Sequence, residues 1–245
     1  MKNNVPDDVV QTMAAFINGL QKRLGTKLYG IYLYGAAVFD DGGPVQDIDC
    51  HVILNECLVG SERKAIAALL EELVENNPQF GEELDAYFIL LEEAKGSQPP
   101  RHQLDPSVFD TSWALHCAHV RAGRYAIIYG PEPSDIFPAP TWTAVANALQ
   151  YELAFVKSHL QYPAYCVLNL CRIVASFMDR DPVKSKHGSG LWAAERYPEW
   201  ATLIHAAMRF YCKKTTDNDA DILNEQLEQF YAFMEGCIEK AREKY

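Results

Sequence analysis

No apolar stretch in this chain approaches the ~18 residues that a membrane-spanning helix needs, so no transmembrane segment is expected. Its start, Met1-Lys-Asn-Asn-Val-Pro-Asp-Asp8, lacks the apolar centre of a secretory leader, and the expected compartment is the cytoplasm. C-x-x-C pairs are absent, and seven cysteines, an odd number, fit neither a disulfide framework nor a zinc site. Cys50, Cys166 and Cys171 lie inside apolar runs and read as buried, reduced thiols. Basic residues are scarce: 22 Lys and Arg against 33 Asp and Glu give a net charge of −11. That balance argues against the basic surface of a nucleic-acid binder. It leaves room for a small cationic partner drawn to acidic walls. Internal repeats and low-complexity tracts are lacking as well. What remains, 49% hydrophobic and 22% charged over 245 residues, is an ordinary globular composition with length for one large domain or two modest ones. A monomer is expected.

The most informative stretch runs from Leu28 to Leu54. Leu28-Tyr-Gly-Ile-Tyr-Leu-Tyr34 alternates as a strand does. A turn follows with Gly35, Gly42, Gly43 and Pro44, where backbone can approach a phosphate closely. Then come Gln46-Asp47-Ile48-Asp49 and a second apolar strand, Cys50-His-Val-Ile-Leu54. Residues i and i+2 of a strand share a face, so Asp47 and Asp49 project side by side. Their carboxylates repel unless a cation sits between them, and Mg²⁺ prefers one or two protein carboxylates plus substrate phosphates. Without such a ligand, the same Asp-x-Asp would merely start a strand.

The rest of the chain divides by composition. Val9, Val10, Met13, Phe16, Ile17 and Leu20 keep helical spacing after Asp7 or Asp8 as a cap. A second helix opens at Gly60-Ser61, with Ile66, Leu69, Leu70 and Leu73 on one face, and ends before Asn76-Asn-Pro78. Leu84-Asp-Ala-Tyr-Phe-Ile-Leu-Leu91 reads as a strand buried on both faces. Asp85 stands out at its head, because a buried carboxylate costs several kcal/mol unless paired or metal-bound. Glu83, two residues earlier, is the rival acid. A helix from about Ser112 to Arg121 holds His116 and His119 at i, i+3; with no third ligand evident, the pair reads as ordinary helix surface. Arg124–Pro131 contains a short strand, and Pro133, Pro138 and Pro140 mark a linker. Beyond it helical periodicity dominates, over roughly 141–161, 164–179, 190–197, 199–213 and 218–244. The expected domains are 1–138 and 139–245.

Strand, Gly turn and Asp-x-Asp together resemble the signature of DNA polymerase β-like nucleotidyltransferases. In the second half, Tyr165-Cys-Val-Leu-Asn-Leu-Cys-Arg172 and Val183-Lys-Ser-Lys-His-Gly-Ser-Gly-Leu-Trp-Ala193 resemble the helical domain of bacterial aminoglycoside adenylyltransferases acting on streptomycin and spectinomycin. The resemblance covers nearly the whole chain. It implies a polymerase β-like α/β domain with a mixed sheet, followed by an all-helical bundle that completes the cleft for ATP and substrate. It further implies Asp47 and Asp49 on Mg²⁺ and the triphosphate, and Asp85 as third acid and general base on the acceptor hydroxyl. Gly35, Ala36, Gln46, Arg172 and Lys186 fall at nucleotide-binding positions. The chemistry fits this set. Moving AMP from ATP to a hydroxyl needs charge neutralisation at the phosphates, cations on the departing pyrophosphate and a carboxylate near the attacking oxygen. Trp192 reads as a core anchor.

Three departures bear on activity. Gly35-Ala36 replaces the family's Gly-Ser, Gln46 replaces the serine before Asp-x-Asp, and an acid near the start of the middle helix is replaced by Ser112, with Asp110 close by. Ala36 cannot supply the hydroxyl bond to phosphate, worth ~1.5–3 kcal/mol for a charged group. A degenerate member that binds nucleotide without transferring AMP is therefore the alternative; retention of all three carboxylates argues for catalysis. A third class, protein-modifying toxin–antitoxin transferases, is disfavoured by the fused helical domain. Streptomycin-modifying relatives grip their antibiotic with a tryptophan after the third acid's strand and an aspartate before the helix ending in the Arg172 position. Here 92–109 has no tryptophan and 161–165 no acid, so spectinomycin or another hydroxylated cation is the expected acceptor.

Overall fold

Alternation along three strands sorts the side chains of the first half onto two sheet faces, and helices cover both. In the computed structural model, which describes residues 5–41, 43–76 and 83–243, the order is α1 (Asp7–Leu24), β1 (Leu28–Tyr34), β2 (Ile48–Leu54), α2 (Gly60–Asn76), β3 (Leu84–Leu90), a single turn α3 (Leu91–Ala94), α4 (Trp113–Arg121) and β4 (Ala126–Tyr129). The sheet runs β3-β2-β1-β4, with β1 antiparallel to β2 and β4, and β2 parallel to β3. It is the expected mixed sheet.

On one face, Ile31, Leu33, Ile48, Cys50, Val52, Leu54 and Phe88 meet Met13, Phe16 and Leu20 of α1 and Ile66, Leu69 and Leu73 of α2. Each such side chain, fully buried, contributes about 1.5–3 kcal/mol. Phe16 meets Phe88 edge-on at 6.4 Å. Gly19 brings α1 against Leu69 of α2 so closely that a Cβ would overlap it. The opposite face holds Tyr32, Ile53 and Ile89 under Trp113, Cys117 and Val120 of α4, with Ile136 and Phe137. Those last two residues correct the expected linker: the Pro-rich stretch first forms a 3-10 turn, Pro133–Asp135, and is then buried in the sheet's own core.

The chain divides into two compact units, the first up to Asp40 and from Val45 to Pro140, the second Asp41–Pro44 with the residues from Thr141 onward. The boundary thus falls at Pro140, and a short early segment joins the second unit. There Asp41 accepts a hydrogen bond from the Ser185 hydroxyl, and Gly43 lies under His187.

The second unit is helical: α5 (Trp142–Ser158), α6 (Pro163–Asp179), α7 (Lys186–Arg196), α8 (Ala201–Tyr211) and α9 (Asp219–Glu243). Thr141 caps α5, its hydroxyl accepting from the Ala144 N–H at 3.2 Å. Apolar on most of its circumference, α6 is the axis against which the other four pack. Asp219, buried at the start of α9, accepts two bonds from the Arg209 guanidinium, at 2.6 and 3.0 Å. That ion pair and its bonds to Thr216 hold its carboxyl well below the usual range.

Three local expectations are revised. Pro6, not Asp7 or Asp8, occupies the N-cap of α1; both aspartates lie in the first turn, where negative charge suits the helix dipole. The helix expected from Gly190 starts at Lys186, capped by the Ser185 hydroxyl, which accepts from the Gly188 N–H at 2.8 Å. Its glycines pass for a turn in the sequence, but Gly190 lets the helix seat against Leu168 and Met208. β3 is the edge strand, apolar inward from Ala86 and exposed at Asp85. Gly42, Asn77, Pro78 and Lys244 lie outside the described residues. Cys50, Cys166 and Cys171 are buried and free.

Candidate active site

Strand register builds the site. Asp49 of β2 stands opposite Tyr34 of β1 and opposite Asp85 of β3. Residues directly opposite one another project from the same face, with strands about 4.8 Å apart. Tyr34, Asp49 and Asp85 therefore form one cross-strand row at the end of the sheet. Asp47 precedes β2 by one residue and Asp49 by two, so it lies at the same end but outside the strand. Glu83 sits in the turn before β3, where its carbonyl accepts from the Ile48 N–H at 2.8 Å. Asp85, rather than Glu83, is the residue in register with Asp49.

Gly35 closes the row from above. It has φ +70°, the left-handed region open to glycine, and opens the 3-10 turn Gly35–Val38. A Cβ there would overlap the Asp49 carboxylate. Ala36 is half-buried in the same turn, and its carbonyl accepts from Phe39 N–H at 3.4 Å. Gln46 is also half-buried.

Two aligned carboxylates with a third acid two residues away repel one another in the absence of a cation. Partial burial of its carboxyl end raises Asp85 above the usual carboxylate range, opposed by the imidazoles of His116 and His102 and aided, to a lesser degree, by the charges of Asp110 and Asp47. The residue as a whole keeps its contact with solvent. An all-oxygen set at a solvent-facing sheet end is what Mg²⁺ takes. These residues fit the ion.

One row further inward the sheet face carries what the sequence reading missed. His51 follows Asp49 by two residues on β2, is fully buried, and stacks on Tyr34 with ring centroids 4.3 Å apart. Its Nε2 lies 3.4 Å from Asp110 Oδ2, and His116 Nδ1 lies 2.8 Å from the same oxygen. Asp110 Oδ1 accepts from the Ser112 N–H at 3.0 Å, anchoring the start of α4. His116 is thus not plain helix surface, and it does not act with His119, which meets Phe39 instead. The usable signal was period two: His51 shares a face with Asp49. Burial pushes His51 down to about 4 despite its bond to Asp110. Burial alone would raise Asp110, but the charge of His116 and N–H groups of both histidines outweigh it and hold the carboxyl well below the usual range. Burial and the charges of Asp49, Asp110 and Asp85 keep Tyr34 protonated far above neutrality.

The two predicted cations belong to the helical unit. Arg172 of α6 pairs with Glu152 of α5 at 3.0 Å. Lys186, the first residue of α7, lies over the rings of Tyr165 and Tyr211 at 5.1 and 5.7 Å. Neither is a freely solvated helix charge. Trp192 is only half-buried, edge-on to Tyr197 with Arg196 over its ring.

Comparison with known proteins bears on the fold and on what the chain is similar to. Residues 136–236 match the family model of the aminoglycoside adenylyltransferase C-terminal domain. The Aminoglycoside (3'') (9) adenylyltransferase of Escherichia coli is 24% identical over 267 residues, covering 98% of both chains. The chain is aminoglycoside adenylyltransferase-like. The spectinomycin adenyltransferase AAD(9) from Enterococcus faecialis, crystallised with ATP and spectinomycin, shares its fold at a TM-score of 0.76 and 16% identity, over 92% of this chain and 98% of that one. The fold of this adenylyltransferase-like chain is therefore that of a nucleotidyltransferase with a helical C-terminal part.

Proposed function

We propose that the chain is an adenylyltransferase that moves AMP from Mg-ATP to a hydroxyl of a small cationic acceptor of the aminoglycoside or spectinomycin kind. The observation that carries this is the register of Asp49 against Asp85 beneath a glycine that no larger residue can replace. The likeness to adenylyltransferases over 98% of the chain supports it.

In the reaction the acceptor oxygen attacks the α-phosphorus of ATP, the bond from that phosphorus to the bridging oxygen breaks, and pyrophosphate leaves. Asp47 and Asp49, with Asp85 beside them, would hold Mg²⁺, which supplies charge neutralisation at the phosphates. Asp85 takes the acceptor's proton; its raised basicity suits that role. The Gly35 turn gives its backbone to the phosphates, flanked by Ala36 and Gln46. Tyr34, kept neutral, walls the row and confines the negative charge to the carboxylates. Arg172 and Lys186 are the proposed cations for the nucleotide. The acidic composition suits a cationic acceptor, and the buried Trp113, its indole N–H given to the Gly96 carbonyl at 3.0 Å, serves the core rather than an antibiotic. We infer that spectinomycin is a better acceptor than streptomycin, and that the protein works as a cytoplasmic monomer without nucleic acid.

Ala36 favours one second reading, a nucleotide binder without transfer. Pyrophosphate release with Mg-ATP over a panel of aminoglycosides and spectinomycin separates the two. Release with spectinomycin is expected. ATP binding with no release for any acceptor would support the second reading, and brisk streptomycin turnover would refute the acceptor assignment.

A further inference from the structure

His51, Asp110 and His116 present one ligand atom each, all within 4.8 Å of one another. They come from three places in the first unit, namely the middle of β2, the approach to α4 and the first turn of that helix. We propose that this buried trio is a second metal site, for a borderline divalent ion such as Zn²⁺ or Co²⁺, separate in chemistry from the all-oxygen carboxylate row.

Geometry carries the assignment. Ligand atoms about 2.0–2.2 Å from a tetrahedral Zn²⁺ stand roughly 3.3–3.5 Å from one another. The Asp110 oxygen already lies 2.8 Å from His116 Nδ1 and 3.4 Å from His51 Nε2. The three ligand atoms lie within 4.8 Å of one another, so an ion would part His116 from Asp110 slightly and draw the two imidazoles towards itself. Two nitrogens and one oxygen select a softer ion than Mg²⁺, whereas Asp47, Asp49 and Asp85 offer only oxygen. Selectivity between neighbouring sites thus follows from ligand type. Asp110 and His51 are almost wholly buried, and the His116 side chain is 22% exposed, which opens an approach from that side.

The proton balance is simple. In the metal-free protein each imidazole nitrogen facing Asp110 is a donor. On loading, that proton moves to the ring's other nitrogen, or leaves if the ring carries two, and the freed lone pair meets the ion. For His51 the other nitrogen, Nδ1, is buried and makes no hydrogen bond. Ligating histidines normally donate that group to an acceptor, so the site should be weaker and more reversible than a structural zinc centre. The consequence for the fold is a clamp: an ion here would tie the start of α4 to the sheet face directly beside the acid row.

The test uses the full chain stripped with chelator, then titrated with Co²⁺ in excess Mg²⁺, so that the carboxylate row is occupied by the harder ion. One equivalent of Co²⁺ should bring up the intense visible absorption of a four-coordinate site, and Zn²⁺ should bleach it. His116→Ala should weaken Co²⁺ binding more than about tenfold, while Asp49→Ala leaves the spectrum unchanged. His119→Ala on the same helix controls for helix damage, and His116→Gln replaces His116→Ala should the latter fail to fold. No visible band, a band that survives loss of His116, or a band lost with Asp49 would overturn the proposal and leave a hydrogen-bonded network only. The outcome is independent of AMP transfer.

Discussion

The two faces of one sheet teach different lessons. Both are written by the same three strands, residue by alternate residue. On the face under α1 and α2, every inward position from Ile31 to Phe88 is apolar, and its contribution is stability alone. On the face under α4, the same alternation places Tyr34, Asp49 and Asp85 in the outer row, His51 with Tyr32 and Tyr87 in the next, and Ile53 with Ile89 innermost. Polarity grades from solvent to core along the strand direction. A one-residue slip of β2 would exchange the two faces, so the apolar face fixes the register that the acidic face uses.

The largest expected effect tests that division. Gly35→Ala and Asp49→Ala should each cut turnover by more than about 10²–10³-fold while leaving the melting temperature within a few degrees. Collapse of the fold in either variant would make the row structural. Asp85→Asn should lower kcat by roughly 10²–10⁴ with ATP binding intact, whereas Glu83→Gln stays near wild type. An inactive Glu83→Gln beside an active Asp85→Asn would move the base out of the row. On the other face, Phe88→Ala should cost about 3–5 kcal/mol in denaturant unfolding; a cost near zero would mean that α1 does not depend on this contact.

The inner histidine makes the acidic face pH-sensitive. His51 titrates near 6.5 when unfolded and is pushed down to about 4 when folded. Above pH 6.5 both states are neutral. As pH falls towards 4 only the unfolded chain takes the proton, so stability is lost, by about 3 kcal/mol. The depressed Asp110 acts in the same direction at lower pH. Chemical denaturation in chelator at pH 6.5 and 4.5 should show this slope, reduced in His51→Gln; equal stability at both values would contradict it. The smallest effect is a gain. Ala36→Ser restores a phosphate-facing hydroxyl and should tighten ATP by no more than about 1.5–3 kcal/mol, as isothermal calorimetry can read.

Period-two alternation made β1 legible to the residue and revealed Asp49 and Asp85 together. Their pairing could not be read, because parallel register depends on the whole β2–α2–β3 crossover rather than on local pattern. In the sequence Asp110 stands out only as a neighbour of a missing acid, since its partners lie 59 residues back and six ahead. The start of α7 was hidden by glycines whose reason is tertiary. The Pro-rich stretch looked like linker because composition cannot show that Ile136 and Phe137 fill a core.

The most direct test of the central claim is mass spectrometry of spectinomycin after incubation with the protein and Mg-ATP. Addition of one adenylyl group by the wild type, absent with Asp49→Ala and strongly slowed with Asp85→Asn, is the predicted result. An adduct formed equally well by all three proteins would show that the carboxylate row is not where AMP is transferred.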